Sequence, residues 1–182
     1  MNNVYENNMK FLPFLKFIDK YKKIIITISI LLIAAIAYLV INNQIEKQNN
    51  EEASIVYSDW LEELSIETPS EDNLNIILNK LLKNYKNTGY TKLALLSKAN
   101  FDANLNKSEE ALNNFNILID LTSGYGGNKI FNKMGRVSAA RILLSEDRYE
   151  EALKMIEVYS SSGTNGYIHE LTGDILIKQN KN

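Results

Sequence analysis

The residue types that most often carry out catalysis are scarce in this sequence. It contains no cysteine and a single histidine, His169. The sequence therefore lacks the residues for a thiolate metal site and for a pair of a cysteine nucleophile and a histidine base. The segment from Gly124 to Gly127 is rich in glycine but lacks the Lys and Ser or Thr that complete a phosphate-binding loop. Glu150 and Glu151 are adjacent, so on a helix their carboxylates point in different directions. We therefore predict a non-enzyme without a metal, cofactor or small-molecule substrate.

Charge is divided unevenly along the chain. Residues 1–23 contain five lysines and two acidic residues, a net charge of +3. Residues 42–182 contain 15 basic and 20 acidic residues, a net charge of −5. Because contacts with phosphate dominate the affinity of proteins for nucleic acids, this acidic part of the chain argues against nucleic acid as a partner.

Residues 24–41 form an apolar segment of 18 residues without a charge. As a helix the segment is about 27 Å long, which is close to the roughly 30 Å of a bilayer's hydrocarbon core. We predict a transmembrane helix in contact with lipid. Two alternatives are a cleaved signal peptide with its site at Ala35-Ile36-Ala37 and a buried core helix. The apolar residues after Ala37 and the 23 residues before the segment favour the uncleaved anchor.

The lysines predict the orientation of this anchor. All five lie between positions 10 and 23, whereas Lys47 on the other side is mixed with glutamates. The positive-inside rule then places residues 1–23 in the cytoplasm of a bacterial cell and residues 42–182 across the inner membrane, in the periplasm. Within this part we expect a juxtamembrane helix and linker at 42–70 and a helical domain at 71–182.

Apolar residues after the anchor recur at helical spacing, and no segment alternates with period two. These patterns predict an all-α fold. Ser70, followed by acidic residues, is typical of a helix N-cap. The loops are expected at 123–128 and 161–166, and the helices at about 53–64, 71–86, 91–104, 108–122, 129–145, 149–160 and 167–178.

The tetrapeptide Glu-Glu-Ala-Leu occurs at 109–112 and again 41 positions later, at 150–153. In each copy a small residue lies 12 positions before the alanine, the spacing of a tetratricopeptide helix pair. We predict an α-solenoid of such pairs, with two unrelated hairpins sharing a tetrapeptide as the alternative. The residues predicted to pack the repeats are small or apolar: Ala99, Ala111, Phe115, Ala140, Ala152, Ile156 and Gly173.

Four segments, in order along the chain, carry a family resemblance. They are NTGYTKLALLSKA at 87–99, RVSAARILL at 136–144, RYEEAL at 148–153 and GDILIKQ at 173–179. Together they resemble the ancillary SecYEG translocon subunits, the YfgM-like family with a tetratricopeptide-repeat-like domain. The resemblance covers about residues 15–180, including the basic N-terminus and the anchor.

The resemblance implies a function in protein export. Members of that family are inner-membrane proteins associated with the SecYEG translocon and with periplasmic chaperones, among them a membrane-tethered prolyl isomerase. We therefore expect a scaffold that links exported chains to these chaperones. The alternative is a general scaffold for cell-envelope assembly that shares only the repeat fold.

Binding residues are expected on the first helix of each pair, because these helices line the concave face of a helical array. Aromatic and hydrogen-bonding side chains on this face are the candidates, with ordinary surface positions as the alternative: Tyr90, Lys98, Asn132, Arg136 and Arg141. Arg136 and Arg141 are also suited to bracing neighbouring helices through ion pairs.

The last predicted helix has an apolar side formed by Ile168, Leu171, Ile175 and Leu176. The resembled family continues with a further helix that would cover part of this side. We expect one of two arrangements. Either some of the apolar surface is open to a partner, or the helix caps the array.

Overall fold

A computed structural model describes the backbone of residues 3–159 and 166–180, and the side chains of residues 12–159 and 166–180. Within these ranges the chain is helical and contains no strand, which confirms the predicted all-α fold. Of the predicted loop at 161–166, residues 161–165 lie outside the described residues. Seven α-helices are described, with a 3₁₀ turn at Glu157–Tyr159 after α6: α1 Asn3–Ser65, α2 Glu71–Asn84, α3 Gly89–Asn104, α4 Ser108–Thr122, α5 Lys129–Ser145, α6 Tyr149–Ile156 and α7 Gly166–Gln179.

The chain divides into two compact units, residues 1–48 and residues 49–182. In the first unit every side chain from residue 12 to residue 48 is exposed except the half-buried Tyr21. Among the described helices, one is long and apolar enough to cross a membrane, and its 18-residue apolar window is entirely unburied. The Thr27 hydroxyl donates to the carbonyl of Lys23 at 2.9 Å, so this polar group is satisfied within the helix.

Short polar side chains start the helices of the second unit. Ser70 caps α2 as predicted, and its hydroxyl accepts from the backbone N–H of Asn73. Asn128 caps α5 in the same way. The third helix, predicted from about residue 91, begins at Gly89, because Thr88 accepts from the N–H of Thr91 and caps α3.

The 41-residue repeat in the sequence corresponds to a repeated turn. Asn106 and Asp147 both adopt the left-handed conformation, with φ of 57° and 58°, between the two helices of each pair. The residues that follow them, Lys107 and Arg148, donate backbone N–H bonds of 2.9 and 2.8 Å to the last turn of the preceding helix. The first helices of the pairs, α3, α5 and α7, are called the A helices below. The helices α2, α4 and α6 are called the B helices.

Small residues bring the A and B helices into close contact. Ala99, Ala111, Ala140 and Ala152 are completely buried, so the helix backbones approach one another closely at these positions. Phe115 and Ile156 fill the core beside them. A second core cluster surrounds the buried Trp60 of α1 and includes residues of α2, α3 and α4.

Candidate functional site

Lys98, a predicted binding residue, is buried in the structure. Its ammonium group forms an ion pair with Asp102 one turn later on α3, and both side chains are almost fully inaccessible. Asn114 of α4 donates to the other carboxylate oxygen of Asp102 at 2.9 Å. Asp102, which is paired with Lys98, therefore joins α3 to α4. Oppositely charged residues four positions apart on a helix can form an ion pair, so this pair could have been predicted from the sequence.

Asn132 and Arg136 belong to a second internal polar cluster. Asn132 is 8% exposed, and its amide donates to the carbonyl of Ile119 and to the hydroxyl of Ser123, each at 3.0 Å. Its side-chain oxygen accepts from Arg136 Nε and from the hydroxyl of Tyr159, also at 3.0 Å. Burial raises the pKa of Tyr159, an effect that the nearby Arg136 charge opposes.

Arg136 also reaches α6, since its Nη1 donates to the carbonyl of Met155 at 3.3 Å. The guanidinium therefore braces neighbouring helices, through hydrogen bonds to an amide and a carbonyl. Together Asn132 and Arg136 tie α5 to the end of α4 and to the end of α6.

Tyr90 lies half-buried near the start of α3. Its ring packs on that of Tyr57 in α1, with centroids 5.5 Å apart and planes inclined by 43°. Burial raises the pKa of Tyr57. Of the five predicted binding residues, Arg141 on α5 is the one whose side chain is exposed.

The structure reveals an exposed apolar row that the sequence reasoning missed. On each A helix a large apolar or aromatic residue lies six positions before the small residue at 99, 140 or 173. These residues are Leu93, Met134 and Tyr167, with exposed fractions of 39, 43 and 49%. Because α3 contacts α5 and α5 contacts α7, the three helices that carry them are neighbours. We call these three residues the A-helix row.

A polar row accompanies the apolar one. Asn100, Arg141 and Asp174 each lie seven positions after a member of the A-helix row, and all three are exposed. Seven residues make about two helical turns, so the two rows lie on the same side of the A helices, about 10 Å apart. The two rows together are suited to binding a polypeptide, which would make apolar contacts with one row and hydrogen bonds with the other. Within the described residues no cluster of His, Cys, Asp or Glu is suited to a metal ion.

Comparison with known families assigns the fold. Residues 16–182 match the model of the tetratricopeptide repeat-like domain. The chain belongs to this family. No curated protein and no solved structure matches the chain.

Tetratricopeptide repeat-like domains are generally non-catalytic scaffolds for protein–protein interaction, and their stacked repeats form extended binding surfaces. In this member the matched range includes the apolar segment 24–41 as well as the repeats. The A-helix row and the polar row lie on the helices that line the inner surface of such an array. They are therefore our candidate site for binding other proteins.

Proposed function

We propose that this chain is a membrane-anchored scaffold associated with the SecYEG translocon, which links exported chains to periplasmic chaperones. The observation that carries the proposal is the presence, in one chain, of an uncovered apolar helix and of an exposed apolar row on a tetratricopeptide repeat-like domain.

The proposed anchor is residues 24–41. None of the apolar window is buried against protein, and exposing so much apolar surface to water is unfavourable. A bilayer removes this cost. The lysines before the segment support a cytoplasmic N-terminus, which leaves residues 42–182 in the periplasm.

The proposed binding surface is the A-helix row with its polar neighbours. Newly exported chains are unfolded and present apolar side chains next to free backbone hydrogen-bonding groups. Leu93, Met134 and Tyr167 offer apolar contacts to such a chain, while Asn100 and Arg141 offer hydrogen bonds.

The proposed place of action rests on the resemblance of four segments to the ancillary SecYEG subunits. The four segments lie within the range of the family match, residues 16–182, which also starts before the anchor. A general envelope-assembly scaffold is the second candidate, because it would need the same anchor and the same apolar row.

Affinity purification of the full chain from detergent-solubilised membranes separates the two candidates. The translocon proposal predicts that SecY and periplasmic chaperones co-purify, whereas their absence would refute it. A topology reporter fused after residue 60 tests the orientation. We expect activity of a periplasmic reporter, and cytoplasmic activity would contradict the proposed placement.

A further inference from the structure

The A helices share one face that the B helices cover in α3 and α5. On α7 the same face is less covered, since Thr172 and Gly173 are half-buried and Leu176 is exposed. Leu143 on α5 is 1% exposed, whereas Leu176 at the equivalent position on α7 is 42% exposed. On α3 the covered positions are Lys98, Ala99 and Asp102. On α5 they are Ala139, Ala140 and Leu143. The equivalent positions on α7 are Thr172, Gly173 and Leu176.

Gly173 marks the centre of this less covered face. A Cβ atom added there would meet no neighbouring atom within 4 Å, whereas the side chains of Ala99 and Ala140 are fully buried. Beside it lies a groove of about 620 Å³ between α6 and α7. The groove is lined by apolar stems and charged groups: Glu150, Leu153, Lys154, Ile156, Glu157 and Thr172.

A repeated ion pair indicates which charge an occupant of this groove would carry. Lys107, directly before α4, pairs with Glu71 in the first turn of α2. Arg148, directly before α6, pairs with Glu109 in the first turn of α4 at 2.6 Å. Glu150 is the next acidic residue in this series, 41 positions after Glu109. It is exposed, and no residue in the described part of the chain pairs with it.

We propose that the groove between α6 and α7 is a docking site for an amphipathic helix of a partner protein. The helix carries Lys or Arg immediately before its first turn, where it pairs with Glu150. It also places a small residue against Gly173, as Ala111 and Ala152 are placed in the two complete repeats. Docking of this kind continues the stacking of the array with a helix from another chain. The site is separate from the A-helix row.

A peptide spanning residues 107–122 is a suitable probe, since it reproduces α4 together with its preceding lysine. Its binding to the full chain in detergent micelles is measured by fluorescence anisotropy. Gly173→Leu fills the open space and is expected to weaken binding at least tenfold. Gly173→Ala is the matched control, because it raises helix propensity as leucine does but keeps the small side chain of the other repeats. Equal binding by the Leu and Ala variants would overturn the proposal.

The charge of the occupant is tested by reversing the charges at position 107 of the peptide and at position 150 of the full chain. A Lys107→Glu peptide should bind about fivefold more weakly than the parent peptide, and Glu150→Lys in the full chain should restore its binding. Asp120→Lys, an exposed reversal on α4, should restore nothing. Absence of rescue by Glu150→Lys would refute the assigned register.

Sedimentation of the full chain without peptide tests a different occupant, a second copy of the chain. We expect Gly173→Leu to leave the oligomeric state unchanged. Conversion of dimers to monomers by this substitution would show that the groove holds another copy, and would overturn the assignment to a partner protein.

Discussion

Leu93 on α3 and Met134 on α5 lie 41 positions apart, and each is about two-fifths exposed. Six residues after each of them stands an alanine that is completely buried. The same repeat that packs the core therefore places an apolar side chain on the surface at a fixed distance from it. The core uses the buried alanines and leaves these two side chains exposed, which is why we propose a binding role for them.

Replacing Leu93, Met134 and Tyr167 together by serine should abolish most binding of apolar partner segments. All three side chains are substantially exposed, so the free energy of unfolding should change by only about 0.5 kcal/mol for each. Binding is measured with purified full-length protein and an unfolded exported chain. Serine substitutions at Ile55, Ile66 and Ile76, exposed residues away from the A helices, provide the control. An equal loss in both triple variants would contradict a specific surface.

The buried pair of Lys98 and Asp102 should matter for stability. Asp102→Asn leaves a buried ammonium group without its counter-charge, so it should lower the free energy of unfolding by about 3–5 kcal/mol. The second repeat has Ala139 and Leu143 at these positions, both buried. Lys98→Ala combined with Asp102→Leu should therefore recover most of the loss, as measured by denaturant unfolding. If the double variant were less stable than Asp102→Asn, the pair would have a larger role than we assign.

The left-handed conformation of Asn106 predicts that a substitution by glycine does not destabilise the fold. Asn106 has a φ of 57°, which glycine adopts without strain. Asn106→Gly should leave stability unchanged or raise it by about 0.5–1 kcal/mol, whereas Asn106→Val should lower it by about 1–2 kcal/mol. Asn104→Gly, at the end of α3, is the control and should be destabilising. The thermal midpoint should be highest for Asn106→Gly and lower for both Asn106→Val and Asn104→Gly.

Stability should depend on pH through Glu71. The hydrogen bond from Lys107 lowers the pKa of Glu71, so the folded state favours the carboxylate. This contribution is fully present above the ordinary glutamate pKa of about 4.3 and is lost as pH falls through the lowered value. The same hydrogen bond raises the pKa of Lys107, so that residue's share is lost only at strongly alkaline pH.

The difference in thermal midpoint between the wild-type chain and Glu71→Gln measures this contribution. It should be largest near neutral pH and should shrink towards pH 3. Asp72→Asn, which removes an exposed carboxylate from the same first turn, is the control for the loss of a negative charge there. A difference that stayed constant from pH 7 to pH 3 would show that the pair with Lys107 does not stabilise the fold.

The sequence predicted the helices well because their signals are local. The helix at 129–145 was predicted with the bounds of α5, and Ser70 caps α2 as expected. The buried alanines follow from a spacing that is visible in the sequence. Residues 160–165 and 181–182 lie outside the described residues, so the predictions there stay predictions.

The binding residues were harder to predict for a physical reason. The helices α3 and α5 each pack against two B helices and against another A helix, so little of their surface is free and polar residues on them also become buried. Lys98 and Asn132 are polar and were therefore predicted on the surface. Their burial depends on the partners Asp102 and Ser123, which the structure identifies. Counting six positions back from each small residue would have found Leu93 and Met134.

Photo-crosslinking from Met134 tests the central claim most directly. A photoreactive amino acid replaces Met134 in the full chain, which is then irradiated in native membranes, with Ile76 as the control position. We predict light-dependent adducts with exported chains or periplasmic chaperones from position 134 and few from position 76. Equal adducts from both positions, or none from 134 in correctly anchored protein, would contradict a protein-binding role for the A-helix row.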